Sequence, residues 1–278
     1  MSRLIATDLD GTIIPEGTFD INPEYYEVIR KLHDQGDVFV AASGRHYTSI
    51  CSLLEPVKDD IICLCGNGTY VACRGVSMDV KALDPDLYHQ VLQTMRQEGG
   101  TFICADTPES VWTDSEDMDF FRTMSGGYRM SLKKYPDLAQ LDDPSAWARL
   151  EETEHPRERA VLKVALHTDS DAGPTARKVR ELYGARANIL CAGAQWVDCV
   201  PLGADKGSAL ARIQQQRGFS KEDTIAFGDN GNDIGMLRLA GDSFCVANGR
   251  AEVKAAADTV IGEMKDDAVL TVLKKLLR

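Results

Sequence analysis

No stretch of this 278-residue chain reaches the roughly eighteen consecutive apolar residues that a membrane-spanning helix needs. Basic residues are also in short supply. Lys and Arg number 31 against 43 Asp and Glu, a formal net charge of −12. So acidic a chain lacks the positive face on which electrostatic nucleic-acid binding depends, and an anionic membrane surface would repel it. The five histidines show no metal-ligand spacing. The eight cysteines, at 51, 63, 65, 73, 104, 191, 199 and 245, include no Cys-x-x-Cys pair. Most lie inside apolar runs such as Ile61–Cys65, where Cys63 and Cys65 fall on one strand face, and they are expected to be reduced core residues. Internal repeats and low-complexity tracts are missing too. Met1-Ser2-Arg3 leads straight into a short apolar run that ends in acid, unlike a secretory leader, so a cytoplasmic location is expected.

What is present is the composition of an ordinary globular protein, 44% hydrophobic and 27% charged, long enough for one large domain or two smaller ones. Short apolar runs alternate with amphipathic stretches. Strands are predicted at 3–7, 38–42 and 61–65, with helices at 23–35 and 47–54 between them. The last quarter repeats the pattern: a helix over 206–217 stopped by Gly218, a strand at 224–227, a helix through Ile234, Leu237 and Leu239, a strand at 244–247, a helix at 251–257, a strand at 259–261 and a Leu-rich final helix. Such alternation predicts an α/β protein with a parallel, Rossmann-like sheet. The middle differs. A hairpin is predicted around Asp106-Thr107-Pro108, then strands at 162–167, 187–191 and 196–200 with a helix at 175–183. Ser125–Pro156, rich in charge, Gly and Pro, is expected to be loop with short helices. The predicted organisation is therefore a core of residues 1–82 plus 199–278, interrupted by an α+β insertion at 83–198.

Four polar clusters fall just before or after predicted core elements. Asp8 and Asp10 follow the first strand, Ser43-Gly44-Arg45 the second and Asp229–Asp233 the late strand, while Lys206 opens the helix before that strand. In parallel α/β sheets the carboxyl ends of the strands form the ligand crevice, so groups distant in sequence converge on one edge. Taken singly, each cluster reads as a solvated turn, a loop or a surface lysine. Brought together, Asp8, Asp10, Asp229 and Asp233 would repel one another, two like charges about 4 Å apart costing roughly 4 kcal/mol at an effective dielectric of 20. A hard divalent cation relieves that repulsion, and magnesium prefers a few carboxylates supplemented by water and phosphate oxygens. The Ser43 hydroxyl, glycine N–H groups and the Lys206 ammonium supply donors suited to a tetrahedral anion. The negative net charge does not conflict with this, because a few local cations and a metal set the field in a site.

Asp8-Leu9-Asp10-Gly11-Thr12, Ser43-Gly44-Arg45, Lys206 and Gly228-Asp229-Asn230-Gly231-Asn232-Asp233 together resemble, in order, the four motifs of the haloacid dehalogenase-like superfamily. With Asn67-Gly68 ahead of an insertion between the second and third motifs, the chain is similar to the Cof-type branch with its α+β cap (subclass IIB). The resemblance covers essentially the whole chain and implies a phosphatase. It makes Asp8 the nucleophile of an aspartyl-phosphate and Asp10 the acid and then base. It places Ser43, Gly44, Asn232 and Lys206 on the phosphate. It gives Mg2+ the Asp8 carboxylate, the Asp10 backbone carbonyl and Asp229, with Asp233 completing the metal-site set as the residue that orients it. Asp10 separates the chain from the dehalogenases, which lack the second aspartate. Gly231 stands where many relatives carry an acidic residue, and Thr69 replaces a common small one.

The implied substrate is a small phosphorylated metabolite such as a sugar phosphate, nucleotide or phosphorylated cofactor, and the implied state is a monomer or small homo-oligomer. The alternatives are a phosphotransferase or phosphomutase using the same intermediate, or a non-catalytic regulatory homologue. His46, next to Arg45, could face the site. Arg122, Arg129 and Lys133 could meet an anionic substrate, although a solvated face is the plainer reading. Trp112, Trp147 and Trp196 are expected in the core of the insertion.

Overall fold

The computed structural model describes residues 2–125, 129–149, 159–191 and 194–278. In chain order the elements begin with β1 (Leu4–Asp8), α1 (Glu24–Asp34), β2 (Val38–Ala42), α2 (Tyr47–Leu53), β3 (Ile61–Cys65), β4 (Tyr70–Cys73) and β5 (Val76–Val80). They continue with α3 (Pro85–Gln97), β6 (Phe102–Asp106), β7 (Val111–Thr113), α4 (Met118–Ser125), β8 (Leu132–Lys134), α5 (Pro144–Trp147), β9 (Lys163–His167), α6 (Gly173–Tyr183), β10 (Ala187–Cys191) and β11 (Trp196–Pro201). They close with α7 (Lys206–Arg217), β12 (Thr224–Gly228), α8 (Ile234–Leu239), β13 (Asp242–Cys245), α9 (Ala251–Lys254), β14 (Thr259–Val260) and α10 (Ala268–Lys275). These elements form two compact units, one of Met1–Asp79 with Asp205–Arg278, the other of Val80–Ala204.

The first unit is built on an eight-stranded sheet in the order β14-β13-β12-β1-β2-β3-β4-β5. From β14 to β3 the pairs are parallel, and β4 turns back antiparallel on β3. The central strands β1, β3 and β12 are buried along their whole length, as expected for a sheet covered on both faces, which is why they read as unbroken apolar runs. Helix α1 buries Tyr25, Val28, Ile29 and Leu32, the i, i+3, i+4, i+7 stripe of an amphipathic helix. Helix α7 starts on Asp205, whose carboxylate accepts from Ser208 N at 2.8 Å, and stops at Gly218 in the left-handed region. The strand order reverses at β1, which lies between β2 and β12. The crevice of a doubly wound sheet opens at such a switch point.

The second unit carries a six-stranded sheet in the order β10-β11-β9-β6-β7-β8, antiparallel except for the β7–β8 pair. Residues of α3 and α6 pack with those of the sheet in one buried cluster that includes Tyr88, Val91, Trp112, Leu166, Val179 and Val197. Trp112 is buried, donates from Nε1 to Thr107 Oγ1 at 2.9 Å and meets the Tyr135 ring edge-on at 5.8 Å. Trp147 packs against the same cluster, and Trp196 lies against His167 at 4.9 Å.

The α/β class and the parallel sheet agree with the sequence reading, and several details differ. Strand β13 begins two residues before the predicted 244–247, because Ser243 is fixed by hydrogen bonds with Asp258. Helix α9 stops at Lys254 rather than at 257. Helix α3 and the β4–β5 hairpin were not foreseen. Within Ser125–Pro156 the described residues include strand β8 as well as short helical turns, and the rest of that segment, with His155, lies outside the described residues. Cys63, Cys65, Cys104, Cys199 and Cys245 are buried, whereas Cys51 and Cys73 are half-buried and Cys191 is exposed; all eight are free thiols. Among the described residues no helix is long and apolar enough to cross a membrane.

Candidate active site

Asp8 is the last residue of β1, where the apolar run gives way to acid. The chain then turns tightly. Gly11 N donates to Ile14 O at 2.8 Å and Thr12 N to Leu9 O at 3.2 Å. Gly11 has a φ of +83°, and a Cβ at this position would lie 2.5 Å from Asp229 Oδ2. Glycine is therefore required both by the backbone and by the close approach of the β12 loop. That loop brings in Asp229 and Asp233, and the first turn of α7 brings in Lys206.

The three carboxylates Asp8, Asp229 and Asp233 offer ligand oxygens that all lie within 4.8 Å of one another. Lys206 is buried among them. Its Nζ donates to Asp8 Oδ1 at 2.5 Å and to Asp233 Oδ1 at 2.6 Å. The other oxygen of Asp233 accepts from the backbone N–H groups of Asp229 and Asn230 at 2.9 and 3.0 Å, so Asp233 ties the loop to the lysine. The Thr12 hydroxyl lies 3.0 Å from Asp8 Oδ2 and 3.1 Å from Asp229 Oδ1, bridging the two carboxylates.

With all three carboxylates ionised, one ammonium leaves the cluster two negative charges in excess. Burial pushes the Asp8 carboxyl well above the usual range; Lys206 opposes the shift, and Asp233 and Asp229 add to it. Asp229 is raised by burial and then by Asp233. Burial would discharge Lys206, but Asp8 and Asp233 outweigh it and hold the ammonium charged. The cluster thus holds hard oxygen donors with an unbalanced negative charge, the donor set a small divalent cation suits.

Ser43 is one residue past β2, in register one step beyond the Asp8–Ala42 pair, and is buried. Its hydroxyl accepts from Arg45 N at 3.1 Å. Gly44 lies beside the Asn67 amide, which would stand 3.1 Å from a Cβ placed on it. Asn232, exposed on the turn after β12, donates from Nδ2 to Asn67 Oδ1 at 2.9 Å. The Asp10 carboxylate turns elsewhere. Arg45 grips it with both arms, Nε to Oδ2 at 2.7 Å and Nη2 to Oδ1 at 2.6 Å, and Gly17 N donates to Oδ1 at 3.0 Å.

The sequence matches the family model for haloacid dehalogenase-like hydrolases over residues 5–273. The chain belongs to that family. Similar proteins include the 5-amino-6-(5-phospho-D-ribitylamino)uracil phosphatase YbjI of Escherichia coli K12, 27% identical over 99% of this chain and 96% of that one. The pyridoxal phosphate phosphatase YbhA of the same organism is 28% identical over 96% of each chain. A crystal structure of a protein from Eubacterium rectale superposes with a TM-score of 0.85 at 28% identity, covering 99% of both chains. TM0651 of Thermotoga maritima, at 21% identity and a TM-score of 0.84 over 99% of this chain and 97% of that one, has the same fold.

Two residues of this site received no role from the sequence reading. Asn67, in the left-handed region at φ +56°, links the Ser43 loop to Asn232. Arg45 was part of a quoted motif, but its partner lies 35 residues away and no spacing rule reveals it. Thr12, the last residue of the first motif, bridges Asp8 and Asp229. His46 caps α2, its Nδ1 accepting from Thr48 N at 3.2 Å. In the second unit, Arg122 is exposed beside Asp119 and Lys133 sits 5.5 Å from the centre of the Trp112 ring.

Proposed function

We propose that this chain is a magnesium-dependent phosphatase that hydrolyses a small phosphomonoester through an aspartyl-phosphate on Asp8. The observation that carries the reading is the placement of Asp8 at the strand-order switch, hydrogen-bonded to a buried, charged Lys206 and clustered with Asp229 and Asp233. The similar proteins named as phosphatases support it.

In the first half-reaction an Asp8 oxygen attacks phosphorus while the bond to the leaving oxygen breaks. Asp10 gives that oxygen its proton. In the second, water attacks the aspartyl-phosphate, Asp10 accepts the water's proton, and Asp8 is released as a carboxylate. Lys206 has three N–H donors; two are used by Asp8 and Asp233, and the third is available to a phosphoryl oxygen. Ser43, the Gly44 N–H and Asn232 are assigned the remaining phosphoryl oxygens. Asp8, Asp229 and the Asp10 carbonyl would hold Mg2+, with Asp233 orienting the set; when bound, the ion neutralises charge on the phosphoryl group. The unit of Val80–Ala204, the insertion between the second and third motifs, is assigned the selection of substrate, in the manner of a cap.

The names of the similar proteins favour a phosphorylated cofactor or cofactor precursor: a ribitylaminouracil phosphate, pyridoxal phosphate and HMP-PP. A phosphomonoester screen ranked by kcat/KM tests the assignment. Phosphate release that needs magnesium and stops with EDTA is expected. Interconversion of esters without free phosphate would instead mark a mutase, and silence on every ester a regulatory homologue.

A further inference from the structure

One buried, well-anchored side chain near the site, that of Arg45, has no task in the proposed mechanism. The Arg45 side chain is 1% exposed. Its two bonds to Asp10 form the fork-to-carboxylate geometry that only a planar guanidinium makes. The same Nη2 donates to Thr18 O at 2.7 Å, and the guanidinium carbon lies 5.0 Å from the centre of the Phe19 ring. Its backbone is fixed as well, the N–H on Ser43 Oγ and the carbonyl accepting from Gly66 N at 3.0 Å. One residue therefore joins three things: the carboxylate assigned to proton transfer, the 17–19 loop and the hydroxyl assigned to phosphate. The carboxylate it holds faces the guanidinium, whereas Asp8, Asp229 and Asp233 face one another.

We propose that Arg45 is the positioning residue for Asp10, an inference that rests on the phosphatase reading. Arg45 fixes where the Asp10 carboxylate waits; Asp10 takes up a proton from solvent at the oxygen it frees from one guanidinium bond, gives that proton to the leaving oxygen in the first half-reaction, and takes one back from the attacking water in the second. A carboxylate held at two points turns about a defined pivot; one released from Arg45 samples orientations that do not transfer a proton. Arg45 touches neither phosphorus nor the leaving group and acts through Asp10 alone.

The test compares an alkyl phosphate, whose alkoxide needs a proton to leave, with p-nitrophenyl phosphate, whose phenolate scarcely does. In Arg45→Gln, kcat/KM for the alkyl ester should fall by about 100-fold, the lower range for loss of a general acid. For the aryl ester kcat/KM should change only a few-fold while kcat falls and phosphoenzyme accumulates, because water attack still needs the base. Arg45→Lys, which keeps the charge and one bond, should recover part of the alkyl activity. Adding Arg45→Gln to Asp10→Asn should cost little beyond Asp10→Asn itself. Equal losses for both esters, or additive losses in the double variant, would overturn the inference and give Arg45 an independent role in folding or phosphate binding. A wild type without magnesium-dependent hydrolysis, or an active Asp8→Asn variant, would defeat the underlying reading and the inference with it. Any result confined to Arg45 leaves that reading standing.

Discussion

Removing the ammonium of Lys206 while keeping its stem, as in Lys206→Met, should destabilise the first unit and make it lean on magnesium. The Lys206 side chain is fully buried, and so is that of Asp233. At 2.5 and 2.6 Å, each contact corresponds to roughly 6 kcal/mol of gross attraction at an effective dielectric of 20. Most of that offsets the desolvation of the three groups. What removal leaves behind is three adjacent carboxylates with no cation among them, and breaking a buried pair from one side costs about 3–5 kcal/mol. At roughly 2–4 °C per kcal/mol for a chain of this size, the melting temperature should drop by about 6–20 °C without metal. Magnesium should restore more stability to the variant than it adds to the wild type, about 2.7 kcal/mol at a hundred times the dissociation constant. Adding Asp233→Asn to the variant should recover part of the loss, because the like charge is then reduced. Scanning calorimetry with EDTA and then with magnesium measures all three. A drop below about 2 °C in EDTA, with a magnesium shift no larger than in the wild type, would refute the view that Lys206 is the charge balance of the cluster.

Two further outcomes depend on different contacts. Gly11→Ala places a Cβ 2.5 Å from Asp229 Oδ2 at a φ of +83°, so stability should fall by about 1–2 kcal/mol and magnesium affinity about tenfold as Asp229 is displaced; titration calorimetry showing unchanged affinity would contradict the geometry. Asp37 is buried at the entry to β2 and accepts from Arg3 N at 2.8 Å, Arg3 Nε at 3.2 Å and Gln35 Nε2 at 2.6 Å. Burial pushes its carboxyl up, but Arg3 and Gln35 prevail and hold it below the usual range. A depressed carboxylate stabilises the fold above its unfolded pKa, and that stability is lost as pH falls through the folded pKa. Asp37→Asn should therefore cost about 3 kcal/mol at neutral pH, and denaturant titrations should show the gap to wild type closing below about pH 4. A gap that persists into strong acid would mean packing, not charge, is what the substitution removes.

The sheet edge was legible because the strands that build it end in abrupt changes of polarity. Leu4–Thr7 runs into Asp8, and Thr224–Phe227 into Gly228-Asp229; strands buried on both faces cannot hide such a boundary. Helix α7 was legible to its ends from Lys206 to Gly218. Helix α3 carries similar signals, Asp84 as cap, Pro85 in the first turn and Leu87, Val91 and Met95 on one face, yet it falls outside the predicted elements. The β4–β5 hairpin turns through Arg74 at φ +52°, an unusual residue for that conformation, and its second strand is a half-exposed edge without strict alternation. In the site, the identity of the clustered residues could be read from sequence, but the direction of each side chain could not. Whether Asp10 faces Asp8 or Arg45 is set by packing of the 17–19 loop, and whether Lys206 serves one carboxylate or two is set by the short turn that carries Asp233. Those choices separate a list of residues from a mechanism.

In the proposed reaction Asp8 takes the phosphoryl group, and the covalent intermediate on it is the most direct test. Substrate mixed with magnesium-loaded enzyme, quenched in acid within the first turnover and digested, should give a peptide containing Asp8 that is one phosphate heavier. Asp8→Asn should give none and should hydrolyse nothing while melting as a folded protein. Phosphate found on another residue, or full turnover by Asp8→Asn, would contradict the central claim.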